Sequence, residues 1–368
     1  MTRTLVVLAS VAALLVALER LLPGSARDAE NAPRLVRLAD AARGSDTVVA
    51  GLSVERPSTA ERFLYVRSRG VWRCLSAWGA PCDARRVEGL VVGLLGARGV
   101  ERALGPDADG AFGFGAPGAL ELALHGRALL DDPGGDELLR VRFGAVTRPA
   151  AGAAPAGSTF ARVASRQHAL ELDFDAHAAL GEPSAPGLPP LLDARLVPGD
   201  FPGTGRRVER LFLDRAEGPD LELVRREREA LPPAEHVAPA ETLDWEWLLI
   251  EGERQQVIPP LRGEAYVTWS PRAPYVALAD PKSAGERGLA SPRARLTIVP
   301  DAGEPLELEV GAATPQGGIW VRVPSVPLLA AVDARTARML LPDASELADD
   351  GLRNLWDEEL RAALASRR

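Results

Sequence analysis

Few residues of this chain have the types and spacing that catalysis or metal binding requires. Asp173 and Asp175 share one face of an expected strand, where paired carboxylates can serve acid–base chemistry or hold a cation, although a solvated strand face is the more common reason for such a pair. The histidines follow no metal-ligand spacing; they are His125, His168, His177 and His236. The sequence therefore predicts no catalytic and no metal-binding residues, and it indicates a protein that is not an enzyme.

The segment Gly113–Gly118 matches the G-x-G-x-x-G pattern of dinucleotide-binding loops. That pattern requires a strand before it and a helix after it, so that the phosphate meets a helix N-terminus. Here Pro117 and an expected strand at Leu120–Leu124 follow the glycines. We interpret the segment as a turn before a strand, and we predict no cofactor.

Cys74 and Cys82 are the two cysteines of the chain. Their spacing fits neither a C-x-x-C redox pair nor a zinc site. In an exported domain they can close a small disulfide loop around Trp78, or both can be free buried thiols. The sequence leaves the two alternatives open.

The composition is typical of a globular protein and unfavourable for nucleic-acid binding. The 368 residues are enough for two domains, and 46% hydrophobic and 26% charged residues are globular values. A net charge of −8 repels phosphate, and the chain has no basic stripe interleaved with aromatic residues. We therefore expect no nucleic-acid partner.

The apolar N-terminus predicts a targeting segment, with a buried core helix as a further alternative. Arg3 precedes the apolar run Leu5–Leu18, in which Ser10 is the only polar residue. We predict a membrane anchor over residues 1–25 with Arg3 on the cytoplasmic side, and a cleaved signal peptide is the alternative. This predicts a single-pass protein of the inner membrane with most of the chain in the periplasm. The expected anchor positions include Leu5, Leu8, Leu14, Leu15 and Leu18.

Self-comparison indicates an internal repeat, because four landmarks recur in the same order. Gly113 and Pro117 recur as Gly288 and Pro292, and the strand that contains Arg162 recurs as the strand that contains Arg322. The other two landmarks are Val141–Gly144, which recurs as Leu308–Gly311, and Leu191–Leu196, which recurs as Leu355–Leu360. The sequence therefore predicts two copies of one unit.

We predict an α+β fold in which an N-terminal transmembrane helix precedes two repeated units, each an antiparallel sheet with a helix. Asp83 begins an amphipathic helix whose apolar stripe extends from Val87 to Leu95. The equivalent stretch Val257–Asp280 contains four prolines, so the helix of the second unit is expected to be degenerate. The expected division is residues 44–181 for the first unit, 182–205 for a proline-rich linker, 206–343 for the second unit and 345–368 for a C-terminal amphipathic helix.

The chain resembles a bacterial family, domain of unknown function family 4340, whose members are described as gliding-motility-type or ABC-transporter-associated. The resemblance extends from about Gly44 to Leu360 and weakens in the second unit. It implies a membrane-anchored extracytoplasmic protein that accompanies ABC-transporter components, and it implies no catalytic residues. The similar elements are Gly70–Arg73 with Trp72, Pro81 and Asp83 before the helix, the turn with Gly113 and Pro117, the strand end Phe143-Gly144, the strand Phe160–Val163 and the closing Leu191–Leu196.

These features predict a non-catalytic accessory or interaction protein with protein partners in a transport or envelope complex. One alternative is a periplasmic module that binds a polysaccharide or another envelope ligand, for which exposed aromatic side chains would form a stacking platform. We expect Trp72, Trp245 and Trp320 to lie in strands and to serve the core instead. A hydrolase with an unfamiliar site is the other alternative.

Overall fold

Two large antiparallel sheets dominate the protein. The computed structural model describes residues 35–42, 48–102, 108–126, 136–148, 158–164, 168–199, 207–227, 245–258, 260–326 and 328–348. The strands of the first sheet are β1 (Leu35–Arg37), β2 (Gly51–Arg56), β3 (Glu61–Ser68), β4 (Val71–Cys74), β5 (Ala80–Pro81), β6 (Arg98–Arg102), β7 (Leu120–His125), β8 (Glu137–Arg148), β9 (Ser158–Val163) and β10 (Ala169–Leu172). Their order across the sheet is β1-β6-β10-β9-β8-β7-β2-β3-β4-β5.

The second sheet repeats this order. Its strands are β11 (Val208–Arg215), β12 (Leu221–Glu227), β13 (Trp245–Glu251), β14 (Arg254–Ile258), β15 (Ala277–Leu278), β16 (Ala294–Pro300), β17 (Leu306–Ala313), β18 (Ile319–Val323) and β19 (Leu328–Val332). They lie in the order β14-β13-β12-β11-β16-β17-β18-β19-β15. The first sheet, followed from β5 to β6, and the second sheet, followed from β14 to β15, connect their strands in the same way. Each strand of the second sheet therefore has an equivalent in the first.

The helices are short. They are α1 (Ala84–Gly96), α2 (Ala108–Ala111), α3 (Ala176–Leu180), α4 (Pro260–Trp269), α5 (Ala334–Leu340) and α6 (Ala344–Ala348). The predicted amphipathic helix is confirmed as α1: the Asp83 carboxylate caps its N-terminus by accepting from the Arg86 N–H at 3.1 Å. The apolar side chains Val87, Leu90, Val91 and Leu94 of α1 are buried.

A ten-residue helix, α4, takes the equivalent place in the second half. The prolines fall at its ends, with Pro260 as its first residue and Pro271 after its last, where a missing N–H costs little. A Cβ atom at Gly263 would lie 2.3 Å from the Trp247 ring. Glycine therefore lets α4 lie directly against the sheet.

The predicted α+β class with a transmembrane helix is wrong, because the described residues are mostly β-sheet with six short helices. Even the thirteen-residue α1 is brief, and of the helices that the structure describes none is long and apolar enough to cross a membrane. Abundant glycine and proline divide the chain into short extended runs, so strands outnumber helices in the described residues even though the helix α1 has the clearer apolar pattern. The anchor predicted for residues 1–25 lies outside the described residues, as does the C-terminal helix beyond residue 348.

The hydrophobic core extends through both sheets. Trp72 in β4 and Trp247 in β13 occupy equivalent positions, since each lies opposite an arginine of the neighbouring strand, Arg67 and Arg225. Both indoles are fully buried against the helix side of their sheets. The three tryptophans that we expected in strands lie there, with Trp245 in β13 and Trp320 in β18 partly buried.

Candidate functional site

A short segment of the chain, which we call the strap and define as residues 190–197, lies between the two sheets and bonds to both. Leu192 forms an antiparallel bridge with Cys82 next to β5, and Arg195 forms one with Pro274 in the second half. Two backbone bonds reinforce these bridges, from the Asp83 N–H to the Leu191 carbonyl at 2.9 Å and from the Leu196 N–H to the Ala273 carbonyl at 3.0 Å. This part of the proline-rich stretch predicted as a linker is therefore packed structure.

The strap contributes apolar side chains to the core. Its leucines and valine are almost fully buried; they are Leu191, Leu192, Leu196 and Val197. A flexible tether between two units would leave such side chains in water. Burying them stabilises the folded chain by roughly 1.5–3 kcal/mol for each side chain that leaves solvent completely. The strap thus joins the two sheets through packing as well as through hydrogen bonds.

Two tyrosines, one from each half of the chain, hold the strap. The Tyr65 hydroxyl donates to the Pro190 carbonyl at 2.5 Å, and the Tyr275 hydroxyl donates to the Asp193 carbonyl at 3.0 Å. Burial raises the pKa of both phenols far above the usual value for tyrosine, because the phenolate would lose its hydration. Both hydroxyls therefore stay protonated and act as donors.

The Asp193 side chain is buried in the same junction. Its two oxygens accept from the Arg195 guanidinium at 2.6 Å each, and one of them also accepts from the Gly199 N–H at 3.3 Å. A two-point bond between arginine and carboxylate fixes both groups and neutralises their charges. Asp193 therefore serves the fold of the strap and does not present a free carboxylate.

Cys74 and Cys82 lie beside this junction as buried free thiols. Burial raises the pKa of Cys74 to about 12 and moves the pKa of Cys82 above its usual range in the same direction. Since the thiolate is the nucleophile and the metal ligand, these thiols are unsuited to either role at neutral pH. Of the two alternatives that the sequence left open, the structure has the free thiols.

The carboxylates singled out from the sequence have structural partners. Asp173 accepts from the Arg98 N–H at 2.7 Å, which joins the end of β10 to β6. Asp175 caps α3 by accepting from the His177 and Ala178 N–H groups at 3.0 and 3.1 Å. The His177 ring contacts the Gly144 carbonyl at 2.9 Å. Within the described residues no three potential metal ligands cluster, and His236 lies outside them.

The glycine landmarks mark a close approach of backbone that occurs in both sheets. Gly113 and Gly288 have left-handed φ values of 70° and 77°. A Cβ at Gly144 would lie 1.7 Å from the Phe112 carbonyl oxygen. A Cβ at Gly311 would lie 2.3 Å from the equivalent oxygen, that of Arg287. Pro117 and Pro292 follow in the loops that lead to β7 and β16.

The two landmark arginines lie on the solvent side of their sheets. Arg162 lies 4.8 Å from the Phe114 ring and forms an ion pair with Asp109. Arg322 donates through Nε to the buried Glu309 carboxylate at 2.6 Å. Both guanidinium groups therefore bind groups of the chain itself.

A groove of about 540 Å³ opens beside the ends of β11, β16 and β17. Arg215 lines it with its side chain mostly buried, 3.6 Å from the Asp343 carboxylate. Arg293 lines it as an exposed side chain that forms no ion pair with any residue the structure describes. The residues around the groove include no aromatic side chain, so it does not fit a sugar-stacking site.

Comparison with known proteins finds no match: no family model fits the chain, and no curated protein or solved structure is similar to it. The family resemblance therefore stays a prediction.

The sequence did not identify the junction. Tyr65 lies 125 positions from Pro190, and Tyr275 lies 82 positions from Asp193. No local pattern links residues so far apart. The sequence offers one signal, the leucines of Leu191–Leu196 inside a proline-rich segment, and this run is one of the repeat landmarks.

Proposed function

We propose that this protein is a non-catalytic interaction protein of the bacterial envelope, which presents two joined sheets to protein partners of a transport complex. The observation that carries the proposal is the strap, which bonds to the first sheet beside Cys82 and to the second half beside Pro274. The buried hydrogen bonds of the strap fix the two sheets to each other, so that together they present one large surface of fixed shape. Such a surface suits protein recognition.

The proposal of a non-catalytic role is supported by how the candidate groups are used. The Cys74 and Cys82 thiols are buried and neutral, and Asp175 caps a helix. Asp193 is held by Arg195 at both oxygens. A nucleophile or general base needs a free, positioned group with a suitable pKa.

The apolar segment Leu5–Leu18, which has the composition of a targeting signal, supports a location outside the cytoplasm. Alkaline phosphatase fused to the C-terminus should be active in cells, because that enzyme matures only outside the cytoplasm. A fusion that lacks residues 1–25 should be inactive. Activity of the shortened fusion, or inactivity of the full-length fusion, would contradict this location.

Protein binding can be tested with the full-length chain in native membranes. We expect it to co-purify with a transporter permease in a fixed ratio after mild solubilisation. The double variant Tyr65→Phe/Tyr275→Phe should reduce this recovery, because it weakens the junction. Tyr266→Phe is the matched control, since that buried hydroxyl donates to the Leu340 carbonyl within the second half. Equal recovery of both variants, or no permease at all, would count against the proposal.

The groove gives a second candidate function, the binding of a small acidic ligand of the envelope. Arg293 is exposed there and Arg215 lies beside it, so a carboxylate or phosphate would be attracted. Calorimetric titration of the purified protein with glucuronate is a direct test. Heat that disappears in Arg293→Ala would support this candidate, and absence of heat at millimolar concentration would remove it.

A further inference from the structure

Strand β14 is the terminal strand of the second sheet in the described chain. It pairs with β13 on one side through the register Glu251↔Arg254 to Trp247↔Ile258. Its first four residues, Arg254–Val257, are all exposed, and Ile258 is buried. Among the described residues no strand pairs with the opposite side of β14, although α6 packs against the strand, and an unpaired edge is a template for another strand.

The equivalent edge of the first sheet is covered. There the Cys82 N–H donates inward to the Trp72 carbonyl at 3.0 Å, while the Pro81 carbonyl accepts from the strap, from the Asp193 N–H at 3.1 Å. Ile258 pairs with Trp247, and in the first sheet Cys82 bonds to the equivalent tryptophan, Trp72. Ile258 therefore corresponds to Cys82, and Val257, one residue earlier, corresponds to Pro81. The extended chain that occupies this edge in the first sheet has no counterpart among the described residues of the second.

The direction of the free backbone groups follows from the alternation of an antiparallel pair. The Pro81 carbonyl points away from β4 and towards the strap. The equivalent residue Val257 therefore directs its N–H and its carbonyl away from β13, and so does Gln255, two residues earlier. Val257 also has the N–H that proline lacks at this position in the first sheet. The open edge thus offers two donors and two acceptors over three residues.

We propose that β14 is a strand-addition site that takes an extended, apolar segment of a partner protein, in the way the first sheet takes the strap. The inference rests on the proposed function, because it names how a protein partner binds. Leu192 makes the equivalent contact in the first sheet, where it pairs with Cys82, the counterpart of Ile258, and is buried. The partner segment accordingly carries an apolar residue opposite Ile258, and its backbone supplies the hydrogen bonds.

The probe for the test is a synthetic peptide with the sequence of residues 190–196, the chain's own strap. Amide hydrogen exchange of the purified full-length protein is followed by NMR with and without the peptide. In the free protein we expect fast exchange at Gln255 and Val257 and slow exchange at Gln256 and Ile258, which face β13. Peptide at millimolar concentration should slow exchange at Gln255 and Val257 at least tenfold.

Two variants separate backbone pairing from side-chain contact. Val257→Pro copies the residue of the first sheet, removes the outward N–H and breaks no bond to β13, so it should weaken peptide binding at least tenfold. Val257→Ala keeps the N–H and should bind within about threefold of the parent. Unchanged exchange at Gln256 and Ile258 in Val257→Pro shows that the strand still forms.

Three results would overturn the inference. The first is no protection by the peptide. The second is slow exchange at Gln255 and Val257 before peptide is added, which means that another part of this chain or, if it depends on concentration, a second copy already covers the edge. The third is a Val257→Pro variant that binds the peptide as tightly as the parent protein does. A Val257→Pro chain that still co-purifies with a permease would reject this site and leave the proposed function standing.

Discussion

Tyr65 lies in β3 of the first sheet and Tyr275 in the loop that precedes β15 of the second, yet both donate their hydroxyl to carbonyls of one short buried segment, at Pro190 and at Asp193. The strap is therefore bonded from two sides by groups far from it in the sequence. Because both acceptors are backbone carbonyls in a buried environment, losing either donor leaves an unsatisfied polar atom. The stability of the junction is thus concentrated in a few identifiable bonds.

The first prediction concerns these two hydroxyls. Tyr65→Phe and Tyr275→Phe should each lower the free energy of unfolding by about 1–3 kcal/mol, the typical cost of a buried acceptor without its donor. Chemical denaturation measures the loss. The double variant should lose less than the sum, because the two bonds hold the same segment. Additive losses would show that the tyrosines act independently.

The second prediction concerns pH. Burial raises the pKa of Cys74 from 9.0 to about 12, so the thiol loses its proton in the unfolded chain before it does in the folded one. The folded state then binds more protons above pH 9, and stability must fall as pH rises from 9 to about 12. The slope is about 1.4 kcal/mol per pH unit for each such group. Cys82, whose pKa is raised for the same reason, adds to it.

Denaturation at several pH values tests this slope against the variant Cys74→Ala/Cys82→Ala, which should show a shallower fall. The buried tyrosines contribute above pH 10 in both proteins and so do not affect the comparison. A thiol reagent at pH 8 should label neither cysteine before unfolding. Rapid labelling of the native protein, or equal slopes, would contradict the assignment.

The third prediction concerns the glycines of the close approach. Gly144→Ala and Gly311→Ala force a methyl group to 1.7 and 2.3 Å from a backbone oxygen, which neither strand can avoid without moving. We expect each to lower the free energy of unfolding by about 3 kcal/mol or more. Gly89→Ala is the control: this exposed position in α1 has open space, and alanine there should add up to about 1 kcal/mol. Melting temperatures report both effects.

Local patterns predicted much of the local structure of this chain. The stripe from Val87 to Leu94 and the cap at Asp83 define α1, and the strand expected at Leu120–Leu124 is observed as β7. The prolines in Val257–Asp280 predict a degenerate helix, although Pro260 begins α4. A proline's effect depends on its position in the helix, and the pattern alone did not fix where the helix begins.

Local sequence patterns could not predict the fold class or the junction between the sheets, for a physical reason. Short strands separated by turns leave a weaker periodic signal than one helix, so the sequence predicts an α+β fold although the described residues are mostly sheet. The partners of Tyr65 and Tyr275 are set by how the two sheets meet, which no spacing in the sequence reveals. The edge of β14 became visible only by comparison with the covered edge at Pro81.

The last prediction uses a charge arrangement that differs between the sheets. In the second sheet the buried Glu309 lies opposite Arg295 on one side and Arg322 on the other. The equivalent row in the first sheet is Glu121, Arg142 and Arg162, so the acidic residue has moved from the central to the outer strand. Each row contains one carboxylate and two arginines, and exchanging the first two members of one row gives the other.

Glu309→Arg alone places three arginines on neighbouring strands and should lower the free energy of unfolding by about 3–5 kcal/mol, since it replaces a buried partner by a like charge. Adding Arg295→Glu recreates the order found in the first sheet and should recover more than half of that loss. Arg295→Gln in place of Arg295→Glu is the matched control and should recover less. Denaturation of these proteins and of the single variant Arg295→Glu completes a double-mutant cycle, which measures the coupling between the two positions. If the exchange recovers no more than the control does, neighbouring side chains rather than net charge decide which strand carries the carboxylate.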